Sequence, residues 1–153
     1  MSARFSLSRR RVLAGAVLAA ASGIAMPALA AQAATVALTH AKGTTDVPAV
    51  PKRVVVYDLG ALDALQALGV PVAGGPRAQM PGYLADYASR YVAAGSLFEP
   101  DYEVLSNIRP DLIIVGGRSS AKLDILSRIA PTLDLSIDGK RMLQDIERNV
   151  NTL

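Results

Sequence analysis

Two glycine pairs that run into an arginine are the first residues here with chemistry to offer: Gly74-Gly75-Pro76-Arg77 and Gly116-Gly117-Arg118. Glycine lets the backbone approach a ligand closely, and a guanidinium donates several hydrogen bonds from one fixed plane, so each run suits an anion. Neither sits in a G-x-G-x-x-G or a G-x-x-x-x-G-K-[ST] pattern, so a nucleotide site is not indicated. Asp58-Leu59-Gly60 is a third candidate. It reads either as a pocket rim that turns a helix N-terminus toward an anion or as a capped helix and nothing more. Covalent catalysis has little to draw on: the chain has no cysteine, a single histidine (His40) and no G-x-S-x-G elbow. His40 lacks nearby Cys, Asp or Glu partners for a metal set and reads as an ordinary residue at a strand end. No catalytic and no metal-ligating residue is assigned.

The elements that must position these residues follow from hydrophobic spacing. Asp101 caps a short helix carrying Val104, Leu105 and Ile108 on one face, and Pro110 ends it because proline has no N–H and pushes Arg109 out of the helical region. Leu112-Ile113-Ile114-Val115 is an apolar run without polar alternation, as expected of a parallel strand covered on both faces. Gly116-Gly117-Arg118 then falls at its carboxyl end, where open α/β sheets collect ligands. Val54-Val55-Val56-Tyr57 is a second such strand; Asp58 caps the helix after it, Leu62, Leu65 and Leu68 face inward, and Gly69 ends it. Val70-Pro71-Val72-Ala73 reads as a short strand, and residues 80–87 as a loop and a short helix. Tyr83, Tyr87 and Tyr91 recur at i, i+4, i+8 and read as a packed helix face. Ser119 or Ser120 would cap a helix with Leu123, Leu126 and Ile129 inward, ended by Pro131. Leu133-Asp134-Leu135-Ser136-Ile137 alternates like a strand near the sheet's edge. A last helix carries Met142, Ile146, Val150 and Leu153 on one stripe.

The sequence pI of 9.4 suggests nucleic acid, but Arg4, Arg9, Arg10 and Arg11 all precede the first acidic residue, Asp46. Without those four, 12 basic residues face 13 acidic ones, and the case for nucleic acid loses its support. The arginines open an apolar run to Met26, followed by Pro27-Ala28-Leu29-Ala30. This is the plan of a cleavable export signal over residues 1–34, and the paired arginines suggest the twin-arginine kind. A membrane anchor is the rival reading, but the run is short, Ala- and Gly-rich and has no charged stop behind it. The mature chain is expected to be a periplasmic domain over residues 35–153, with no membrane insertion after cleavage.

Four motifs carry a resemblance: Lys52-Arg53-Val54-Val55-Val56, Gly95-Ser96-Leu97-Phe98-Glu99-Pro100-Asp101, Pro110-Asp111-Leu112-Ile113-Ile114 and Ile129-Ala130-Pro131-Thr132. Together they resemble the ferric-siderophore substrate-binding proteins of ABC importers, best the members that take up catecholate-type complexes. The resemblance implies an α/β, Rossmann-like lobe with a mostly parallel sheet flanked by helices, the first half of a two-lobe periplasmic binding fold, opened over residues 36–48 by a first strand and a turn. It covers only the N-terminal lobe, so the chain is expected to be half of a binding protein and a weak binder by itself. The implied ligand is a ferric siderophore and no cofactor is implied. Arg118 and Gly117 are the implied ligand contacts, with Asp58 and Gly60 on the rim. Glu103, or failing it Glu99, would meet the inner-membrane permease. Cobalamin- or haem-binding proteins of the same fold stay open as alternatives. So does an exported α/β enzyme fragment, although the nucleophile–base pair an enzyme would need is missing.

Overall fold

A computed structural model describes residues 34–153. The export signal assigned to residues 1–34 lies, but for its last residue, outside them. An antiparallel hairpin opens the described part, β1 (Thr35–His40) and β2 (Gly43–Pro48), paired from Thr35↔Pro48 to His40↔Gly43. Where the sequence suggests one strand and a turn, the structure has a two-stranded ribbon outside the main sheet. Its tip covers an open sheet edge, with the Ala41 N–H donating to the Asp134 carbonyl at 2.9 Å.

The main sheet begins with β3 (Val54–Val56), followed by helix α1 (Leu59–Ala67). Asp58 caps that helix, and Gly69 ends it at φ 70°. Leu62 and Leu65 are buried as the spacing predicts, but Leu68 is the C-cap and is exposed. The next strand, β4, is Gly74–Gly75 rather than residues 70–73. The Val70 N–H still bonds to Leu65 at the helix end and Pro71 has no N–H, so the chain reaches the sheet only at Ala73, which donates to Val54. Helix α2 (Gly82–Ala88) and strand β5 (Val92–Ala93) follow. The tyrosine stripe does not form one packed face. Tyr83 is exposed and Tyr91 lies beyond the helix, whereas the hydroxyls of Tyr87 and Tyr91 donate to the carbonyls of Val70 and Pro76.

Helix α3 (Tyr102–Ile108) begins at Asp101, whose Oδ1 accepts the N–H groups of Glu103 and Val104. It ends on Arg109 in the left-handed region at φ 53°, just before Pro110. Strand β6 (Leu112–Val115) is buried throughout. At its start the Asp111 carboxylate accepts the backbone N–H groups of Lys52 and Arg53, and Arg53 Nε donates to the Arg109 carbonyl. These bonds join two of the sequence motifs and set the register of β3 against β6. A 3₁₀ turn (Gly117–Lys122) leads into helix α4, which is only Leu123–Leu126, with Ile129 exposed. Edge strand β7 (Thr132–Asp134) starts one residue earlier than the alternation suggests and is buried rather than alternating. Helix α5 (Met142–Thr152) closes the described chain, with Met142, Ile146 and Val150 exposed.

All five strands are parallel, in the order β5-β4-β3-β6-β7. Side chains of the central strands alternate between two packed faces. Val54, Val56 and Ile114 meet Ala61, Leu62 and Leu65 of α1 on one side, whereas Val55, Ile113 and Val115 meet Leu105 of α3 and Leu126 of α4 on the other. This is the α/β, Rossmann-like lobe expected from the sequence. Among the described residues, no helix is long and apolar enough to cross a membrane.

Candidate functional site

The strand order reverses direction between β3 and β6: β4 and β5 extend the sheet one way, β6 and β7 the other. At such a switch point the loops after the two central strands part and leave a crevice beyond their carboxyl ends. Asp58 and Gly60 follow β3, and Gly117 and Arg118 follow β6. All four line one open cleft of about 470 Å³. Leu97, from the loop closed by the Gly95↔Pro100 bridge, supplies a further wall that sequence reasoning missed. A depression of equal size between the end of α1 and α2 lies at the amino ends of the strands, so strand polarity, not volume, singles out the first cleft.

The cleft is electrically mixed. Arg118 is exposed, and among the described residues its guanidinium makes no ion pair. Below it Asp58 is half-buried, with Oδ1 accepting the Ala61 N–H at 2.8 Å. Burial is the largest influence on Asp58 and raises its proton affinity above that of an ordinary carboxyl; the N–H groups of Ala61 and Gly60 oppose it, the charge of Asp134 adds to it, and Arg118 opposes it. Asp58 thus caps α1, and Asp58, Leu59 and Gly60 also line the cleft. The other glycine pair does not join them. Arg77 follows it after β4 and lines a separate depression with Met80 and Tyr91.

Gly116 matters for space rather than for flexibility. Its φ of −173° suits any residue, but a Cβ there would stand 2.6 Å from Asp58 Oδ2. Gly116→Ala is therefore expected to push the carboxylate off the helix cap, at about 1–2 kcal/mol. In an Asp58→Ala background the same change should cost little, and denaturation of the two single variants, the double variant and the parent measures that coupling. Strictly additive costs would show that the carboxylate is not the obstacle.

The two serines after Arg118 are not helix caps. Ser119 is fully buried; its Oγ accepts the Gly116 N–H at 3.0 Å and lies 3.0 Å from the Tyr57 carbonyl, to which it can donate, so it ties the ends of β6 and β3 together. Ser120 donates to Asp134 Oδ2. A serine pair beside Gly-Gly-Arg could have signalled a braced loop, but nothing in the sequence marks Asp134 as its partner. His40 stands at the end of β1, buried; its Nδ1 accepts the Lys42 N–H and its Nε2 pairs with Thr45 Oγ1, with burial lowering its proton affinity.

Glu99 and Glu103 lie outside the cleft. Glu99 is paired with Lys122 Nζ at 2.9 Å, whereas Glu103 is exposed in the first turn of α3 and makes no ion pair among the described residues.

A parallel lobe with its cleft at the switch point is the architecture of periplasmic binding proteins, and comparison with known proteins agrees. The structure superposes on a TroA-like periplasmic binding protein of Xylanimonas cellulosilytica with a TM-score of 0.65 at 39% identity, covering 78% of this chain and 44% of that one. The homologues are siderophore-binding proteins, and the chain corresponds to the N-terminal portion of each. The petrobactin-binding protein YclQ of Bacillus subtilis is 39% identical over 115 residues, 73% of this chain and 36% of that protein. Its crystal structure matches with a TM-score of 0.74 at 36% identity, over 78% of this chain and 44% of that one. The catecholate-siderophore binding protein VctP of Vibrio cholerae matches with a TM-score of 0.70 at 39% identity, over 78% of this chain and 45% of that one. The chain spans about a third of the length of the curated relatives it matches. No protein-family model matches it. These homologues are binding proteins, not enzymes.

Proposed function

We propose that this chain forms one wall of a ferric-siderophore site, of the catecholate class, in the solute-binding component of an ABC importer. The observation that carries the reading is Arg118, a guanidinium without an ion-pair partner among the described residues, at the switch-point cleft of a lobe similar to siderophore-binding proteins. Ferric catecholates are anionic, and a planar cation that donates several hydrogen bonds suits their clustered oxygens. Gly117 lets the turn present Arg118, while Asp58 and Gly60 form the opposite rim. The reading places the protein in the periplasm, brought there by the arginine-rich leader.

Calorimetric titration of the chain with the ferric complex of 2,3-dihydroxybenzoate tests this. The cleft is open and a charged contact facing water is screened, so a salt-dependent Kd in the range of about 10–100 µM is expected. Absence of binding to every anionic ferric complex would overturn the reading. Submicromolar affinity from a demonstrated monomer would overturn the argument that this open wall binds weakly.

Delivery to the inner-membrane permease falls to Glu103. Lys122 already pairs with Glu99, whereas Glu103 makes no ion pair among the described residues, so of these two glutamates Glu103 is the better able to meet a basic partner. Rim charges of this kind set encounter rate and orientation. Glu103→Lys is expected to slow iron uptake severalfold in cells that depend on this protein while leaving siderophore binding by the purified protein unchanged. Loss of that binding instead would place Glu103 in the cleft.

A further inference from the structure

We infer that Asp134 is a positioning residue for Arg118, acting through Ser120 and Ser136. The inference rests on the reading of the cleft as an anion site. Asp134 ends β7, is fully buried, and has no ion-pair partner among the described residues. A buried carboxylate without a cation is costly unless hydrogen bonds satisfy it. Both of its oxygens are engaged, and both bonds lead to the turn that carries Arg118. Oδ2 accepts the hydroxyl of Ser120, two residues after Arg118. Oδ1 accepts the Ser136 N–H at 2.9 Å, and Ser136 Oγ in turn accepts the Gly117 N–H at 2.9 Å, one residue before Arg118.

The turn is thus held on both sides of the arginine by one buried group. The segment that does the holding is itself fixed from α5, where Asn149 Nδ2 donates to the Leu135 carbonyl at 2.7 Å and Arg148 Nη2 to the Ser136 carbonyl at 3.0 Å. Gly117 sits at φ 47°, which glycine reaches at no steric cost, so sterics do not hold the turn there and the hydrogen bonds do. Charge-assisted bonds to a carboxylate are stronger than neutral ones, which suits a brace whose task is to limit where an exposed side chain can go. Fixing the turn before the ligand arrives removes an ordering cost from binding.

The test uses Ser120→Ala with Ser136→Ala, which severs both links and leaves the buried Asp134 in place, and Ser136→Thr, which retains a hydroxyl. Amide exchange by NMR is read first, without ligand, and then a titration with the diamagnetic gallium(III) complex of 2,3-dihydroxybenzoate. In the double variant, exchange at residues 117–120 is expected to accelerate about tenfold while residues 112–115 stay protected, and affinity should fall about fivefold. Ser136→Thr should restore the Gly117 link. Unchanged exchange at residues 117–120 would overturn the inference, as would a loosened turn with the parent's affinity. A parent that binds no gallium complex would defeat the anion-site reading and, with it, the positioning of Arg118 for a ligand; exchange alone would then report only whether the brace exists.

Discussion

Gly95→Ala is expected to lower the stability of the lobe by about 3–5 kcal/mol, a large share of what a domain of this size possesses. Gly95 adopts φ 97°, and a Cβ there would stand 2.4 Å from the Glu99 carbonyl oxygen and 2.5 Å from the Asp101 nitrogen. Both obstacles are backbone, so no rotamer change relieves them, and the left-handed conformation adds its own strain. The loop has no slack to absorb the change. Ser96 N–H donates to the Glu99 carbonyl at 2.8 Å, Ser96 Oγ accepts the N–H groups of Phe98 and Glu99, and Asp101 N–H donates to Ala94 at 3.0 Å. Opening it would displace Leu97 from the cleft and disturb the Asp101 cap of α3. Gly139→Ala is the internal control, since a Cβ there meets nothing within 4 Å and its φ is ordinary; it should be neutral within about 0.5 kcal/mol. Urea denaturation gives both values, and equal midpoints for the two variants would remove the claim.

Arg118→Ala is expected to weaken binding of a trianionic ferric catecholate about tenfold at low salt, equivalent to about 1.4 kcal/mol. The guanidinium is exposed and makes no ion pair among the described residues, so its removal should leave folding untouched. Salt provides the diagnostic. An exposed charge contributes less as ionic strength rises, so the parent and variant affinities should converge toward high salt. Arg118→Lys should recover only part of the loss, because an ammonium keeps the charge but not the planar fork of donors. Calorimetric titration over a range of salt reads all three proteins. Equal affinities for parent and Arg118→Ala at low salt would put the ligand elsewhere.

Much of this lobe was legible in the sequence because its signals are local. The unbroken apolar run at Leu112-Ile113-Ile114-Val115 fixes a doubly covered strand, and Asp58, Asp101, Gly69 and Pro110 mark helix ends through bonds and clashes that span a few residues. The position of Arg118 at a strand's carboxyl end follows from the same local reading. Strand β4 was misplaced for the converse reason. Gly74 and Gly75 carry no β-forming side chain; they are a strand because they pair in parallel with Val55, Val92 and Ala93, in a space where a Cβ on either would stand 2.7 Å from Ile108 or Tyr91.

Only the tertiary structure decided that β3 and β6 are neighbours, and with that, that Asp58 and Arg118 share a cleft. Strand pairing between residues so far apart depends on which faces the intervening helices cover, which no window of sequence contains. The same holds for Asp134. In the chain it is one acid in an alternating stretch, and only the folded sheet places its carboxylate beneath the turn that follows another strand, with Ser120 and Ser136 as its donors. Local spacing thus determined the two central strands and the ends of the helices around them, while the order of the strands determined which of those ends meet.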